Sequence, residues 1–149
     1  MTSGVLIDTN VLVYSTGVDG PPKAMAADVV LTAISDNESG AVSTQVLSEY
    51  AQTMLRRYPL TGRPLVVREL AALRETWPVV PVTDDVIADA VRGVIEHGMS
   101  FYDAQIWATA RLADIGIVLT EDCSDGQVVE GVRFVDPFAP SFDLRHLSS

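Results

Sequence analysis

Carboxylates follow two short apolar segments of the sequence, at the points where buried strands are expected to end. Asp8 comes directly after residues 5–7, and Asp122 comes shortly after residues 117–119. Ligands of open α/β sheets bind at the carboxyl ends of strands, where neighbouring carboxylates repel one another unless a cation or a proton lies between them. Since hard oxygen ligands favour Mg²⁺ or Mn²⁺ over zinc, the pattern predicts a site for one of these ions.

Asp8 is the strongest single candidate for this site. Its structural alternative is a turn residue that accepts a hydrogen bond from nearby backbone, but its position at a strand end favours a functional role. Thr9 and Asn10 follow it directly. Either residue is able to orient Asp8, and either is equally able to cap the helix that follows.

Two further acids lie on predicted helices. Asp103 comes three residues after Ser100, which is the spacing of a capping box, and the helix dipole also favours an acid in the first turn. Glu49 lies on the polar side of an amphipathic helix, which usually means a solvated face. Spacing alone favours these structural interpretations, although a first-turn acid and a polar helix face can also border a wet cleft.

The loop after residues 117–119 contains three acids. Asp122 is as well placed for the edge of the sheet as for a polar loop that ends at the Asp-Gly pair 125–126. Glu121 and Asp125 are weaker candidates of the same kind.

The charge balance of the chain bears on its partners. Its 149 residues carry 20 acidic and 10 basic side chains, a formal net charge of −10. This balance argues mildly against a nucleic-acid partner, because Lys and Arg provide most of the affinity for phosphates, but bound metal ions would cancel part of the charge. Five arginines fall in one segment and form either a phosphate contact or, more usually, a solvated helical face: Arg56, Arg57, Arg63, Arg68 and Arg74.

The single cysteine, Cys123, excludes an internal disulfide. Together with the distant His97 and His146 it lacks the spacing of a zinc site. The first residues lack the basic and apolar segments of a signal peptide, and no apolar stretch reaches membrane-spanning length. These features predict a cytoplasmic protein without a membrane partner.

Predicted strands alternate with predicted helices along the whole chain. The strands are expected at residues 5–7, 41–42, 79–82, 117–119 and 132–135. Alternation of this kind predicts an α/β fold with a mainly parallel sheet and helices on both faces. We expect one domain over residues 1–149, with a loosely held tail from about residue 138, and we expect Trp77 and Trp107 in the core.

Four segments, in this order, resemble the PIN-domain family and more narrowly the VapC-type toxins of toxin–antitoxin pairs. They are residues 6–12, 43–49, 100–104 and 119–122, and they end on or contain Asp8, Glu49, Asp103 and Asp122. The likeness extends from about residue 4 to residue 138. Each segment is short, and the resemblance rests on their order, spacing and placement together.

The resemblance implies a five-stranded parallel sheet flanked by helices, with these four acids in one pocket. It also implies Mg²⁺- or Mn²⁺-dependent cleavage of RNA, a homodimer, and inhibition by a partner antitoxin. Asn10 and Thr120 would be supporting polar residues. Asp122 and Asp125 compete for the fourth acidic position.

Metal-assisted hydrolysis of phosphodiesters is the chemistry that such a site predicts, and two alternatives remain open. A haloacid-dehalogenase-like phosphatase also begins with a strand that ends in Asp, but it requires a second Asp where this chain has Asn10. The other alternative is a binding or regulatory module with an inactive pocket.

Overall fold

The computed structural model describes residues 2–148, which contain a six-stranded sheet. Its strands are β1 (Thr2–Ile7), β2 (Gly40–Ser43), β3 (Val79–Val80), β4 (Ile115–Leu119), β5 (Val128–Val129) and β6 (Val132–Val135). They lie in the order β3-β2-β1-β4-β6-β5, and every neighbouring pair is parallel except β5 and β6. The predicted α/β class is confirmed. The five expected strands are present, and the antiparallel β5 adds a sixth.

Six α-helices connect these strands. They are α1 (Thr9–Ser15), α2 (Pro21–Asp36), α3 (Thr44–Arg57), α4 (Pro64–Thr76), α5 (Asp84–His97) and α6 (Phe101–Leu112). Two short 3₁₀ helices lie at Leu60–Gly62 and Leu144–Leu147. The third strand is shorter than expected, because Pro81 has no backbone N–H for the ladder.

Local signals in the sequence set several helix ends. The Ser43 hydroxyl accepts a 3.1 Å hydrogen bond from the Val46 N–H and caps α3. Thr83 caps α5 in the same way, through the Val86 N–H at 3.3 Å. Gly98 ends α5 with a φ of 69°, a left-handed conformation that glycine adopts without strain.

The core lies on both sides of β1 and β4. Val5, Leu6 and Ile7 are fully buried, and every residue of β4 is buried. Trp77 and Trp107 are buried as expected, and the indole N–H of Trp107 donates to the Val129 carbonyl at 3.0 Å.

The strand order places a topological switch point between β1 and β4. The chain leaves β1 for β2 on one side, whereas β4 pairs with β1 on the other side. Ile7 lies opposite Leu119 in this pairing. The residues that follow them, Asp8 and Thr120, therefore lie side by side at the carboxyl edge of the sheet, where α/β proteins bind ligands.

Packing contacts continue through the final segment of the chain. Phe138, Phe142 and Leu147 pack against the core as partly buried side chains, and Arg133 donates to the His146 carbonyl. These contacts extend past residue 138, where the sequence predicts a loosely held tail. Among residues 2–148, none of the helices has the length and apolar character needed to cross a membrane.

Candidate active site

Asp8 is held rigidly at the end of β1. Its side chain is only 8% exposed, and it occupies the N-cap position of α1. The Oδ1 oxygen accepts from the Thr9 N–H at 2.7 Å, and Oδ2 accepts from the Thr120 hydroxyl at 2.8 Å. Asp8 thus has the backbone contact expected of a turn residue and also faces the switch point.

The Thr120 hydroxyl is the centre of a small polar network. It accepts from Asn10 Nδ2 at 3.0 Å and from the Asp122 N–H at 3.2 Å. Because both of these groups can only donate, the hydroxyl hydrogen is left for Asp8. Asn10 Oδ1 accepts from the Glu121 N–H at 3.2 Å, so Asn10 acts on Asp8 through Thr120 and not directly.

Glu49 lies half-buried on α3 and borders the same region. Its Oε2 accepts from the Thr9 hydroxyl at 3.3 Å, and its Oε1 accepts from Gln45 Nε2 at 2.7 Å. The interpretation of Glu49 as part of a solvated helix face is therefore wrong. Thr9 connects the two acids, since its N–H binds Asp8 while its hydroxyl binds Glu49.

A chain of two buried amides supports Glu49. Gln45 Nε2 also donates to the Tyr102 carbonyl at 3.2 Å, and Gln45 Oε1 accepts from Gln105 Nε2 at 2.8 Å. Because a carboxylate and a carbonyl only accept, the amide nitrogen of Gln45 must face them. Neither glutamine was predicted as a site residue. The four-residue spacing of Gln45 and Glu49 is the sequence signal for the first of them.

Asp103 lies in the first turn of α6 with its side chain exposed to the cleft. The capping box expected with Ser100 is wrong, since the Ser100 side chain makes no hydrogen bond to the helix. The spacing was correct, but the rotamers that a capping box needs are not adopted. Asp103 is therefore not committed to the helix end.

Two adjoining cavities, of about 280 and 300 Å³, meet at the edge of the sheet. Asp8, Asp103, Ile106 and Asp122 line both, and Glu49 lines the second. We refer to the two cavities together as the acidic cleft. The structure thus brings the four acids of the predicted pocket to one place.

The other two acids of the loop are committed elsewhere. Asp125 Oδ1 accepts from the Asp136 N–H at 2.9 Å, and its side chain lines neither cavity. Glu121 accepts from the Tyr14 hydroxyl at 2.7 Å and forms an ion pair with Lys23. Asp122 is therefore the loop acid that borders the acidic cleft.

The electrostatics of the cleft act most strongly on Asp8. Burial raises the pKa of its carboxyl to about 6, and the charges of Glu49 and Asp103 act in the same direction. The hydrogen bonds from Thr120 and Thr9 favour the ionised form and oppose part of this rise. Because burial and two neighbouring acids disfavour the charged form of Asp8, a cation bound beside it would be stabilising.

The four acids line the cleft without closing into a compact ligand set. Within the described residues, the group of side chains whose possible ligand atoms lie within 4.8 Å of one another is Glu96, His97 and Glu130. Of these three, His97 lines the first cavity of the cleft and the two glutamates line neither cavity. Arg92 already bonds both of these glutamates, each at 2.8 Å.

The donor chemistry of the acidic cleft nevertheless fits Mg²⁺ or Mn²⁺. All four acids offer hard oxygen atoms, and Mg²⁺ usually keeps several waters while binding only one or two carboxylates directly. Such a hydrated ion does not need three carboxylates within 4.8 Å. The charges of Glu49 and Asp103 both raise the pKa of Asp8, so both acids act on the carboxylate that would be the central ligand.

The arginine segment does not extend into the cleft. Arg57 pairs at 2.8 Å with Asp19, which lines the second cavity, so Arg57 lies at the rim of the cleft. Arg63 donates to the Leu55 carbonyl at 3.0 Å. Across the part of the chain that the structure describes, neither cavity wall contains a lysine or an arginine.

Comparisons with known proteins agree with this geometry. The PIN domain family model matches residues 5–123. A toxin–antitoxin complex from Klebsiella pneumoniae aligns with a TM-score of 0.68 and 22% identity, covering 91% of this chain and 98% of that one. The FitAcB structure from Neisseria gonorrhoeae aligns with a TM-score of 0.70 and 18% identity, covering 90% and 98%.

A third similar structure is VapC20 from Mycobacterium tuberculosis, described as a toxin that cleaves the sarcin-ricin loop. It aligns with a TM-score of 0.61 and 23% identity, covering 77% of this chain and 87% of that one. No curated protein matches the chain. At these identities the solved structures establish the fold, and the family match spans most of the sequence. The chain belongs to the PIN-domain family.

Proposed function

We propose that this protein is a Mg²⁺- or Mn²⁺-dependent endoribonuclease and the toxin of a toxin–antitoxin pair. The observation that carries the proposal is the convergence of Asp8, Glu49, Asp103 and Asp122 on one cleft at the switch point of a PIN-domain sheet. The similarity to a toxin described as cleaving the sarcin-ricin loop supports RNA as the substrate class.

The four acids would hold the metal, with Asp8 and Asp103 as the main ligands and Glu49 and Asp122 binding directly or through water. A bound divalent ion lowers the pKa of a water molecule and stabilises negative charge on the phosphate. No side-chain nucleophile is required for this chemistry.

The residues around the acids have their own tasks in the proposed reaction. Thr9 and Thr120 donate to the two oxygens of Asp8 and fix the direction of its carboxylate. Gln45 and Thr9 do the same for Glu49. Donors of this kind orient ligand oxygens before the metal binds. At Asp8 they also favour the ionised form of the carboxyl.

The biological setting of the enzyme follows from the same proposal. Similar structures include toxin–antitoxin complexes, so we propose a cognate antitoxin protein as partner. We also propose a homodimer, a cytoplasmic location and a single domain over residues 1–149.

RNA cleavage by the purified protein tests the proposed function. We expect cleavage in Mg²⁺, none with a chelator, and none by Asp8→Asn, whose fold remains intact. Asp125→Asn is the matched control, because Asp125 lines neither cavity and Asn keeps the oxygen that accepts from Asp136. Equal cleavage by the parent and Asp8→Asn would refute the assignment.

An inactive binding module of the same fold is the second candidate, and the open spacing of the carboxylates favours it. Calorimetry with Mn²⁺ separates the two, since this module would neither bind the ion nor cleave RNA. The phosphatase alternative has no support, because both polar atoms of Asn10 are engaged with Thr120 and Glu121.

A further inference from the structure

Two exposed aromatic side chains stand at the start of α6, beside Asp103. Phe101 is 38% exposed and Tyr102 is 65% exposed. Their rings meet edge to face, with centroids 5.4 Å apart. Tyr102 also lines the second cavity of the acidic cleft.

Tyr102 differs from the other tyrosines of the chain. The hydroxyls of Tyr14, Tyr50 and Tyr58 each donate to a glutamate, at 2.7, 3.1 and 2.6 Å. The Tyr102 hydroxyl has no partner within residues 2–148. A large ring that is mostly exposed and whose hydroxyl has no partner gains little from folding, and exposed aromatic surface beside a cleft is typical of a place where a ligand binds.

The backbone that carries this ring is fixed. The Tyr102 carbonyl accepts from the buried Gln45 amide at 3.2 Å, and Phe101 supports the ring edge. A ring presented in this way loses little conformational freedom when a ligand stacks on it.

The charge of the cleft shows which kind of contact is needed. Its walls contain acids, His97 and, within the described residues, neither lysine nor arginine. Arg57 at the rim is already paired with the lining residue Asp19. Phosphate contacts, which depend on lysine and arginine, therefore have few free partners at these walls. Stacking of a base on an aromatic ring does not depend on charge and tolerates any base.

We propose that Tyr102, supported by Phe101, is a stacking platform for an unpaired base of single-stranded RNA at the mouth of the acidic cleft. This proposal deepens the proposed function and rests on it. Single-stranded RNA is the form that fits, because bases inside a duplex do not present a free face to a protein ring.

The test uses a single-stranded RNA that carries 2-aminopurine, mixed with the intact protein in Mg²⁺. Fluorescence is read at mixing, and cleavage is then followed to obtain kcat and KM. The variants are Tyr102→Ala, Tyr102→Phe and, as a control, Leu112→Ala, which removes an exposed apolar side chain at the other end of α6.

For Tyr102→Ala we expect KM to rise roughly tenfold or more, with kcat nearly unchanged and the 2-aminopurine quenching lost. Tyr102→Phe keeps the ring and behaves as the parent, and so does Leu112→Ala. Mn²⁺ binds to Tyr102→Ala as to the parent, because the carbonyl that accepts from Gln45 remains.

The failure of this proposal differs from the failure of the proposed function. If the parent cleaves RNA while Tyr102→Ala keeps the parent's KM and quenching, only the platform is refuted. If the parent does not cleave RNA in Mg²⁺, the proposed function is refuted. A change in sedimentation that accompanies the loss of RNA binding would also overturn the platform and assign the ring to a protein interface.

Discussion

The Thr120 hydroxyl donates to the Asp8 carboxylate over 2.8 Å, although the two residues are 112 positions apart in the chain. The parallel register of β1 and β4, with Ile7 opposite Leu119, makes this contact possible. Asn10 and the Asp122 N–H both donate to the same hydroxyl, which directs its hydrogen toward Asp8. The orientation of the Asp8 carboxylate oxygen is thus a consequence of the sheet topology.

Removal of this donor is expected to weaken metal binding. In Thr120→Val the Asp8 Oδ2 oxygen loses a bond that favours its ionised form, so the carboxyl pKa rises further. We expect a lower Mn²⁺ affinity at about pH 7 and a binding midpoint shifted to higher pH, measured by calorimetry. Thr120→Ser keeps the hydroxyl and serves as the control; equal affinity for Thr120→Val and the parent would contradict the role of the bond.

The pH dependence of metal binding follows from the raised pKa of Asp8. A proton and the metal compete for the same carboxylate, and the pKa of that carboxyl is about 6. We expect full Mn²⁺ affinity above about pH 7 and a loss approaching tenfold per pH unit well below pH 6. Affinity that stays constant down to about pH 5 would show that the ion does not depend on Asp8.

Replacement of Asp8 by asparagine is expected to stabilise the metal-free protein at neutral pH. The folded-state pKa of Asp8, about 6, lies above the usual value of 3.8, so folding favours the protonated form. The free energy of unfolding of the parent therefore decreases as pH rises through about 6, and the total decrease due to Asp8 is at most about 3 kcal/mol. The asparagine side chain carries no charge, so the variant avoids this loss.

Thermal denaturation in chelator, at about pH 4 and about pH 8, measures this effect. We expect Asp8→Asn to have the higher Tm at the higher pH and no comparable gain at the lower pH, and we expect Mg²⁺ to raise the Tm of the parent alone. A lower Tm for Asp8→Asn at the higher pH would mean that ionised Asp8 stabilises the fold.

The two buried amides that support Glu49 can be tested by the effect of a substitution on Mn²⁺ affinity. In Gln105→Leu the Gln45 oxygen loses its donor, so the Gln45 nitrogen is held on Glu49 less firmly, by its own two acceptors alone. Changes behind a metal ligand typically cost about 10-fold to 100-fold in affinity, and we expect Mn²⁺ affinity to fall within that range. Gln52→Leu, on the exposed side of α3, is the matched control; similar affinities for both variants would exclude a positioning role.

The fourth acid of the site can be identified by comparing two neighbours in the same loop. Asp122 borders the cleft, whereas Asp125 holds the Asp136 N–H. We expect Asp122→Ala to reduce RNA cleavage at unchanged stability. We expect Asp125→Ala to retain cleavage and to lose about 1 kcal/mol of unfolding free energy, measured by urea titration. The reverse pattern would exchange the two assignments.

Much of the fold could be predicted because its signals are local. Ser43 and Thr83 are N-cap residues that predict the starts of α3 and α5, and Gly98 predicts the end of α5. β5 carries no such signal, since its two residues become a strand only by pairing with β6. The alternation of strands and helices was therefore sufficient for the class, and one short strand was not visible.

The site was predictable at strand ends and less so on helices. Asp8 and Thr120 follow buried strands directly, so the topology rule alone places them together. Whether Asp103 bonds Ser100 or faces the cleft depends on rotamers that spacing does not determine. The burial of Gln45 and Gln105 depends on the tertiary hydrogen bonds that join α3 to α6 and has no counterpart in the sequence pattern.

Paramagnetic broadening by Mn²⁺ in the amide NMR spectrum tests the shared cation site most directly. Substoichiometric Mn²⁺ is expected to broaden the signals of Asp8, Glu49 and Asp103 first, and this broadening is expected to vanish in Asp8→Asn. If the signals of Glu96 and Glu130 broaden first and those of Asp8, Glu49 and Asp103 persist, the ion binds at the group of Glu96, His97 and Glu130 and the central claim is wrong.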